Sequence, residues 1–161
     1  MAIVLLVIAA VEDIRKCQIP NWLILTGLLL GGLINIRQDG YMGISSFVVG
    51  VLFPVLVLWL LFRFRVMGAG DIKLFSVIGG LYGASFVSRV MLVALFLGAV
   101  MSVFQLLRYQ NLSYRLQYLA EFVSNYLKTG EIKPYYVRER DGTKIIVHFA
   151  VAILGSFLLC I

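Results

Sequence analysis

Two stretches of this chain, 44–62 and 90–107, contain no Asp, Glu, Lys or Arg and are almost wholly apolar. Each approaches the ~20 residues that a helix needs to cross a bilayer, and in hydrocarbon a segment must satisfy its own backbone, which an isolated helix does. Four further apolar segments, 1–11, 22–36, 72–87 and 145–161, complete the pattern. The composition agrees: 61% of residues are hydrophobic and 14% charged, against roughly half and a quarter in a soluble domain. The expected fold is therefore all-α, a polytopic membrane helix bundle of about six transmembrane helices. The first segment is short, so its helix must run on through Glu12 and Asp13. A signal peptide is the weaker reading, because no basic residue precedes the apolar run and no small-x-small site precedes Glu12.

The distribution of charge orients the bundle. If the N-terminus lies outside and segments alternate, only Arg37 and Arg89 of the 14 basic residues fall on the outer side. That is a strong positive-inside bias. It also explains the net charge of +6 without a nucleic-acid partner, since the basic residues lie in loops between apolar runs. Asp13 and Asp71 then both face the cytoplasm, whereas Cys17 and Cys160 fall on opposite sides and cannot pair. The lone His148 reads as a packing or interfacial residue, and no metal site is expected.

The chain divides into five core helices over 1–107, a loop over 108–143 and a sixth helix over 144–161, all in one membrane-embedded domain, 1–161. In the loop, Tyr109, Leu112, Leu116, Leu119, Val123 and Tyr126 recur at spacings of three and four, the mark of an amphipathic helix on the inner membrane surface. Asp141-Gly142 is a weak hairpin signal, and an extended connector fits equally well. Gly27/Gly31 and Gly79/Gly83 have the small-xxx-small spacing of close helix packing, and Pro54 should kink the third helix.

Two acids carry the candidate chemistry. Asp13 ends the first helix and Asp71 opens the fourth, at matching depth on different helices. Intramembrane acids are costly and are functional candidates by default. Two neighbouring carboxyl groups do not readily ionise together, so they can hold one proton between them, one acting as base toward water and the other as acid toward a carbonyl. Gly68 and Gly70 would open unusual backbone angles and admit a peptide beside Asp71. Lys73, two residues on, does not share a helix face with Asp71 and reads as an interface anchor. The structural alternative makes Asp71 a helix N-cap and pairs Asp13 with Arg15, Lys16 or another basic group.

The segment "GAGDIKL", 68–74, resembles the G-x-G-D motif of type IV prepilin peptidases. "EDIRKCQIPNWL", 12–23, resembles that family's other signature, an aspartate followed six residues later by Ile-Pro-Asn. The resemblance places Asp13 and Asp71 on the family's catalytic aspartates. It places Ile19, Pro20 and Asn21 on the Ile-Pro-Asn element, and Gly68, Gly70 and Lys73 on the second motif. It spans about 1–107, with a looser echo at "HFAVAILG", where the short forms often have a Pro-aromatic pair in place of His148-Phe149. It implies an aspartic endopeptidase of the cytoplasmic membrane, without cofactor. The enzyme would remove a short basic leader from prepilin or pseudopilin precursors at the cytoplasmic face, the family's cleavage following glycine. The paired C-x-x-C motifs of larger members are missing, which aligns the chain with the short, peptidase-only branch serving Flp pilins and argues against N-methylation. Two alternatives stand beside this reading. Other G-x-G-D proteases cut within transmembrane helices, but their Tyr-Asp motif is missing here. A small proton-coupled transporter or assembly subunit would use the acids as a relay, with those acids nearer mid-membrane.

Overall fold

The computed structural model describes residues 2–64, 66–108 and 148–161, and these are predominantly helical with no strand among them. The expected amphipathic segment at 109–126 and the turn at Asp141-Gly142 lie outside the described residues.

The first helix, α1 (Ala2–Lys16), does continue through Glu12 and Asp13. It buries Ala2, Leu6, Ala9 and Ala10 and turns Val4, Val7 and Ile14 outward. Arg15 and Lys16 occupy its last turn, where basic groups complement the helix dipole. The helix stops at Cys17, a non-glycine residue in the left-handed region (φ 52°), whose N–H closes the last turn on the Asp13 carbonyl at 2.8 Å. Pro20, with φ −69° and ψ 135°, then caps the start of α2 (Asn21–Arg63).

Within α2 the one non-helical residue is Gly40 (φ 57°, ψ −128°). The chain reverses there. The halves 21–39 and 41–63 lie against each other, Phe47 within 3.2 Å of where a Gly31 side chain would begin. Gly40 falls between the expected segments 22–36 and 44–62, and Pro54, where a kink is expected, is buried with helical backbone dihedrals. The reversal sits at Gly40 for a conformational reason: a positive φ costs glycine almost nothing.

The hairpin of α2 holds α3 (Ala69–Tyr82), the most enclosed helix of the bundle, with Ile72 and Leu74 through Gly80 buried. Gly27 faces Val77, and the backbones of Gly50 and Gly79 meet so closely that a Cβ on either would overlap the other's carbonyl oxygen. Asn35 spans the same crossing, its Nδ2 donating to the carbonyls of Gly31 and Gly80 at 2.8 Å each. In a membrane, where water exerts no hydrophobic pressure between helices, such backbone approach and polar bonding supply the association.

The apolar run expected over 72–87 is broken at Gly83 (φ 84°), where α3 ends and α4 (Ala84–Arg108) begins. Gly83 has open space around its Cα, so it turns the chain and does not pack as half of a small-xxx-small pair. Last comes α5 (Phe149–Cys160), which leans on α4 and α1. Tyr82, Phe86 and Phe157 form an aromatic cluster with centroids 5.0 to 5.7 Å apart, and the Arg89 guanidinium lies 5.7 Å above the Phe86 ring. Among the described residues, α2 and α4 are long and apolar enough to cross a membrane. Leu29, Leu33, Leu56 and Trp59 face outward from α2, as suits a helix bathed in lipid.

Candidate active site

The end of α1, both ends of the α2 hairpin, the start of α3 and the start of α5 gather at one end of the bundle. A cavity of about 300 Å³ opens there, and both Asp13 and Asp71 line it. Residues 58 positions apart in the chain thus share one space, and their carboxyl groups are within electrostatic reach of each other.

Each acid is held by helix architecture. Asp71 is the third residue of α3, and its carboxylate accepts a hydrogen bond from the Gly68 N–H. Gly68 is therefore the N-cap, and Asp71 reaches back to it as the acid of a capping box does. The Asp13 Oδ2 accepts the N–H of Ala150, at 3.3 Å, in the first turn of α5. Its neighbour Glu12 takes Lys16 as ion-pair partner at 2.9 Å. The structural alternative that would pair Asp13 with Lys16 is not the arrangement seen: Lys16 sits on Glu12, and Asp13 takes a helix N-terminus.

The two sequence motifs build one wall. Ile19 fits against Gly70, its Cβ 3.3 Å from where a Gly70 side chain would begin. Lys73 Nζ donates to Asn21 Oδ1 at 2.9 Å. Lys73 is accordingly tied to the start of α2 while its side chain stays exposed. Pro20 sets the direction in which α2 leaves this wall. The motif glycines also differ from expectation. Neither has a positive φ; what matters is the missing side chain. At Gly70 the space is taken by Ile19, and at Gly68 a Cβ would stand 3.2 Å from Asp71 Oδ2.

The cavity has further walls that sequence reasoning missed, Cys17 and Gln18. Cys17 is exposed and its thiol is free; the signal was a helix ending just before Pro20, which calls for a left-handed residue in between. The Ala150 amide was missed as well, because a backbone group has no sequence signature beyond the apolar run that follows it. His148 serves as the N-cap of α5. Phe149 packs edge-on to Phe75, with centroids 6.3 Å apart.

Residues 1–103 match the profile of the type IV leader peptidase family. The chain is also 32% identical over 146 residues to the prepilin leader peptidase/N-methyltransferase of Bacillus subtilis (strain 168), a match covering 86% of this chain and 58% of that protein. It therefore spans a little over half of that relative's length. No solved structure matches. With both motifs and both carboxyl groups inside the matched region, the chain belongs to the type IV leader peptidase family.

Proposed function

We propose that this protein is a membrane aspartic endopeptidase that removes the leader peptide from prepilin-like precursors. The observation that carries the reading is the shared cavity: Asp13 and Asp71, from different helices, face one space whose wall is built by both motifs. A water held between them would lose a proton to one carboxylate as its oxygen attacks the scissile carbonyl. The other carboxyl group would protonate the carbonyl oxygen. The proton taken from water then passes to the leaving amine as the C–N bond breaks, while a hydroxyl of the tetrahedral gem-diol returns its proton to the other carboxylate as the carbonyl re-forms, so the pair again holds one proton.

The same reading places six helical passes in the cytoplasmic membrane with the N-terminus outside and the cavity facing the cytoplasm. Arg15, Lys16, Arg63, Lys73 and Arg108 belong to the cavity end of the bundle and Arg37 and Arg89 to the other, which supports that orientation. The substrate would be a Flp-like prepilin with a short basic leader, and residues 1–161 would act as one peptidase domain, with the loop 108–143 on the cytoplasmic side. Gly68, Gly70, Ile19, Pro20, Asn21 and Lys73 would hold the two acids and the peptide in register. The test is co-expression with such a precursor and mass measurement of its N-terminus. Asp13→Asn and Asp71→Asn should each abolish leader removal while the protein remains in the membrane. Processing by both single variants would refute the dyad.

A further inference from the structure

A glycine opens a slot in α4 for one ring of α5. A Cβ on Gly98 would overlap Cε2 of Phe149 and stand 2.9 Å from its Cδ2, so the ring lies directly on the α4 backbone. It also meets Phe75 edge-on, with centroids 6.3 Å apart. Phe75 is fully buried and lies one turn on from Asp71, on the same face of α3. Phe149 and Gly98 further line a second cavity, of about 420 Å³, that reaches Asp71. The ring is thus seated between α4 and the helix that carries one acid. The backbone just beyond it serves the other. The Ala150 amide belongs to the first turn of α5, where an N–H has no carbonyl of its own helix to bond. It donates instead to Asp13 Oδ2 at 3.3 Å, across 137 residues of chain.

Resting on the peptidase reading above, we infer that Phe149 is a positioning residue: seated on Gly98 and Phe75, it fixes the Ala150 amide, and through it the Asp13 carboxyl group, at the separation from Asp71 that leader cleavage requires. In this role it acts through Asp13 and touches none of the reacting atoms. A misplacement of about 1 Å in a catalytic constellation can cost about a hundred-fold in rate. A Cβ inserted at Gly98 forces a shift of that order, because carbon atoms in contact keep about 3.5–4.0 Å. The ring cannot give way toward α3, where Phe75 blocks it.

The test uses the full chain in detergent with a synthetic prepilin-like precursor, its cleavage followed by mass and resolved into kcat and KM. Gly98→Ala should lower kcat about ten-fold or more and leave KM close to wild type. Phe149→Leu should lower kcat as well, and adding it to Gly98→Ala should cost nothing further, because both act through the same ring. An ester in place of the amide between residues 149 and 150 deletes the one N–H and should also lower kcat about ten-fold or more. It adds no atom, so it keeps the test decisive if Gly98→Ala does not fold. Phe157→Leu, near the other end of α5, is the control for loosened packing: it should lower the melting temperature yet leave kcat close to wild type. An ester variant with wild-type kcat, additive losses at Gly98 and Phe149, or an equal fall of kcat in Phe157→Leu overturns the positioning role. If wild type cleaves no precursor, the peptidase reading falls and the role of Phe149 with it. Cleavage by wild type that the ester leaves untouched sinks the role alone.

Discussion

The crossing of α2 and α3 makes a quantitative demand on two glycines. A Cβ on Gly79 would lie 2.8 Å from the Gly50 carbonyl carbon and 3.2 Å from Val87 Cγ1. Carbon atoms in contact prefer about 3.5–4.0 Å, so Gly79→Ala requires the two helices to part by about 0.7 Å or more. The nearest obstacle is the Gly50 backbone, which cannot swing away as a side chain can. Overpacking of this kind costs about 1–3 kcal/mol, and the rigid partner puts this case near 3. Replacing a helical glycine by alanine returns about 1 kcal/mol of helix propensity. The net destabilisation is then about 2 kcal/mol. At roughly 2–4 °C per kcal/mol for a chain of this size, the melting temperature should fall by about 4–8 °C. Gly50→Ala, whose Cβ would stand 2.7 Å from the Gly79 carbonyl carbon, should behave alike. Gly32 supplies the control, since its Cβ would meet Phe47 at an ordinary 3.7 Å; Gly32→Ala should leave stability unchanged or raise it slightly. The assay is thermal melting of the purified chain in detergent, followed by loss of the monodisperse species. Equal melting temperatures for Gly79→Ala and Gly32→Ala would refute the close crossing, and with it the placement of α3 that carries Asp71.

Three further outcomes follow from the site. Asn21→Ala or Lys73→Met should each remove one exposed hydrogen bond, a loss of about 0.5–1.5 kcal/mol that lowers leader cleavage about two- to ten-fold; the double variant should be no worse than the more severe single one, and additive losses would show the two residues act separately. Maleimide alkylation of the exposed Cys17 thiol should block leader cleavage, and Cys17→Ser should be active and resistant; a resistant wild type would mean the first cavity is not the route to the acids. Gly70→Val should displace Ile19 and cut activity about ten-fold or more, with Ile19→Ala in the same chain restoring part of it; kcat and KM of the four variants measure this, and the absence of any rescue would count against that contact.

How much of this was legible in sequence depended on whether the signal was local. The helices follow from apolar runs, and counting passes was enough to put Asp13 and Asp71 at the same end. The break at Gly83 escaped notice because hydropathy runs on smoothly through it, while Ser88-Arg89 looked more like a loop and is helical. Lys73 was judged by its own helix, where it cannot reach Asp71; its partner, Asn21, lies 52 residues away, and helical periodicity says nothing of that distance. In sequence, Gly68 and Gly70 suggest both backbone freedom and room for a chain to come close. Their use is steric, and it depends on what stands opposite, which is Asp71 itself in one case and Ile19 in the other. Composition hinted at the burial of α3 only indirectly, since a helix apolar on all sides can face either protein or lipid.

The packing also separates the two acids into different bodies. Asp71 belongs to α3, which packs most extensively on the α2 hairpin, whereas Asp13 belongs to α1, which leans chiefly on α5, itself seated on α4. Direct contact between α1 and α3 is slight. The distance between the carboxyl groups is therefore set by how the α2–α3 body meets the α1–α4–α5 body, not by either acid's own helix. Two packed side chains lie at that junction near the cavity. Ile19 lodges against Gly70 on one side, and Phe149 packs edge-on to Phe75 on the other. Phe149 also begins the helix turn whose next amide holds Asp13. A packed ring is a firmer positioner than a flexible loop. The aromatic residue at the start of α5 therefore links the seating of the last helix to the geometry of an acid at the end of the first, and this link gives a segment without acidic side chains a part in shaping the candidate site.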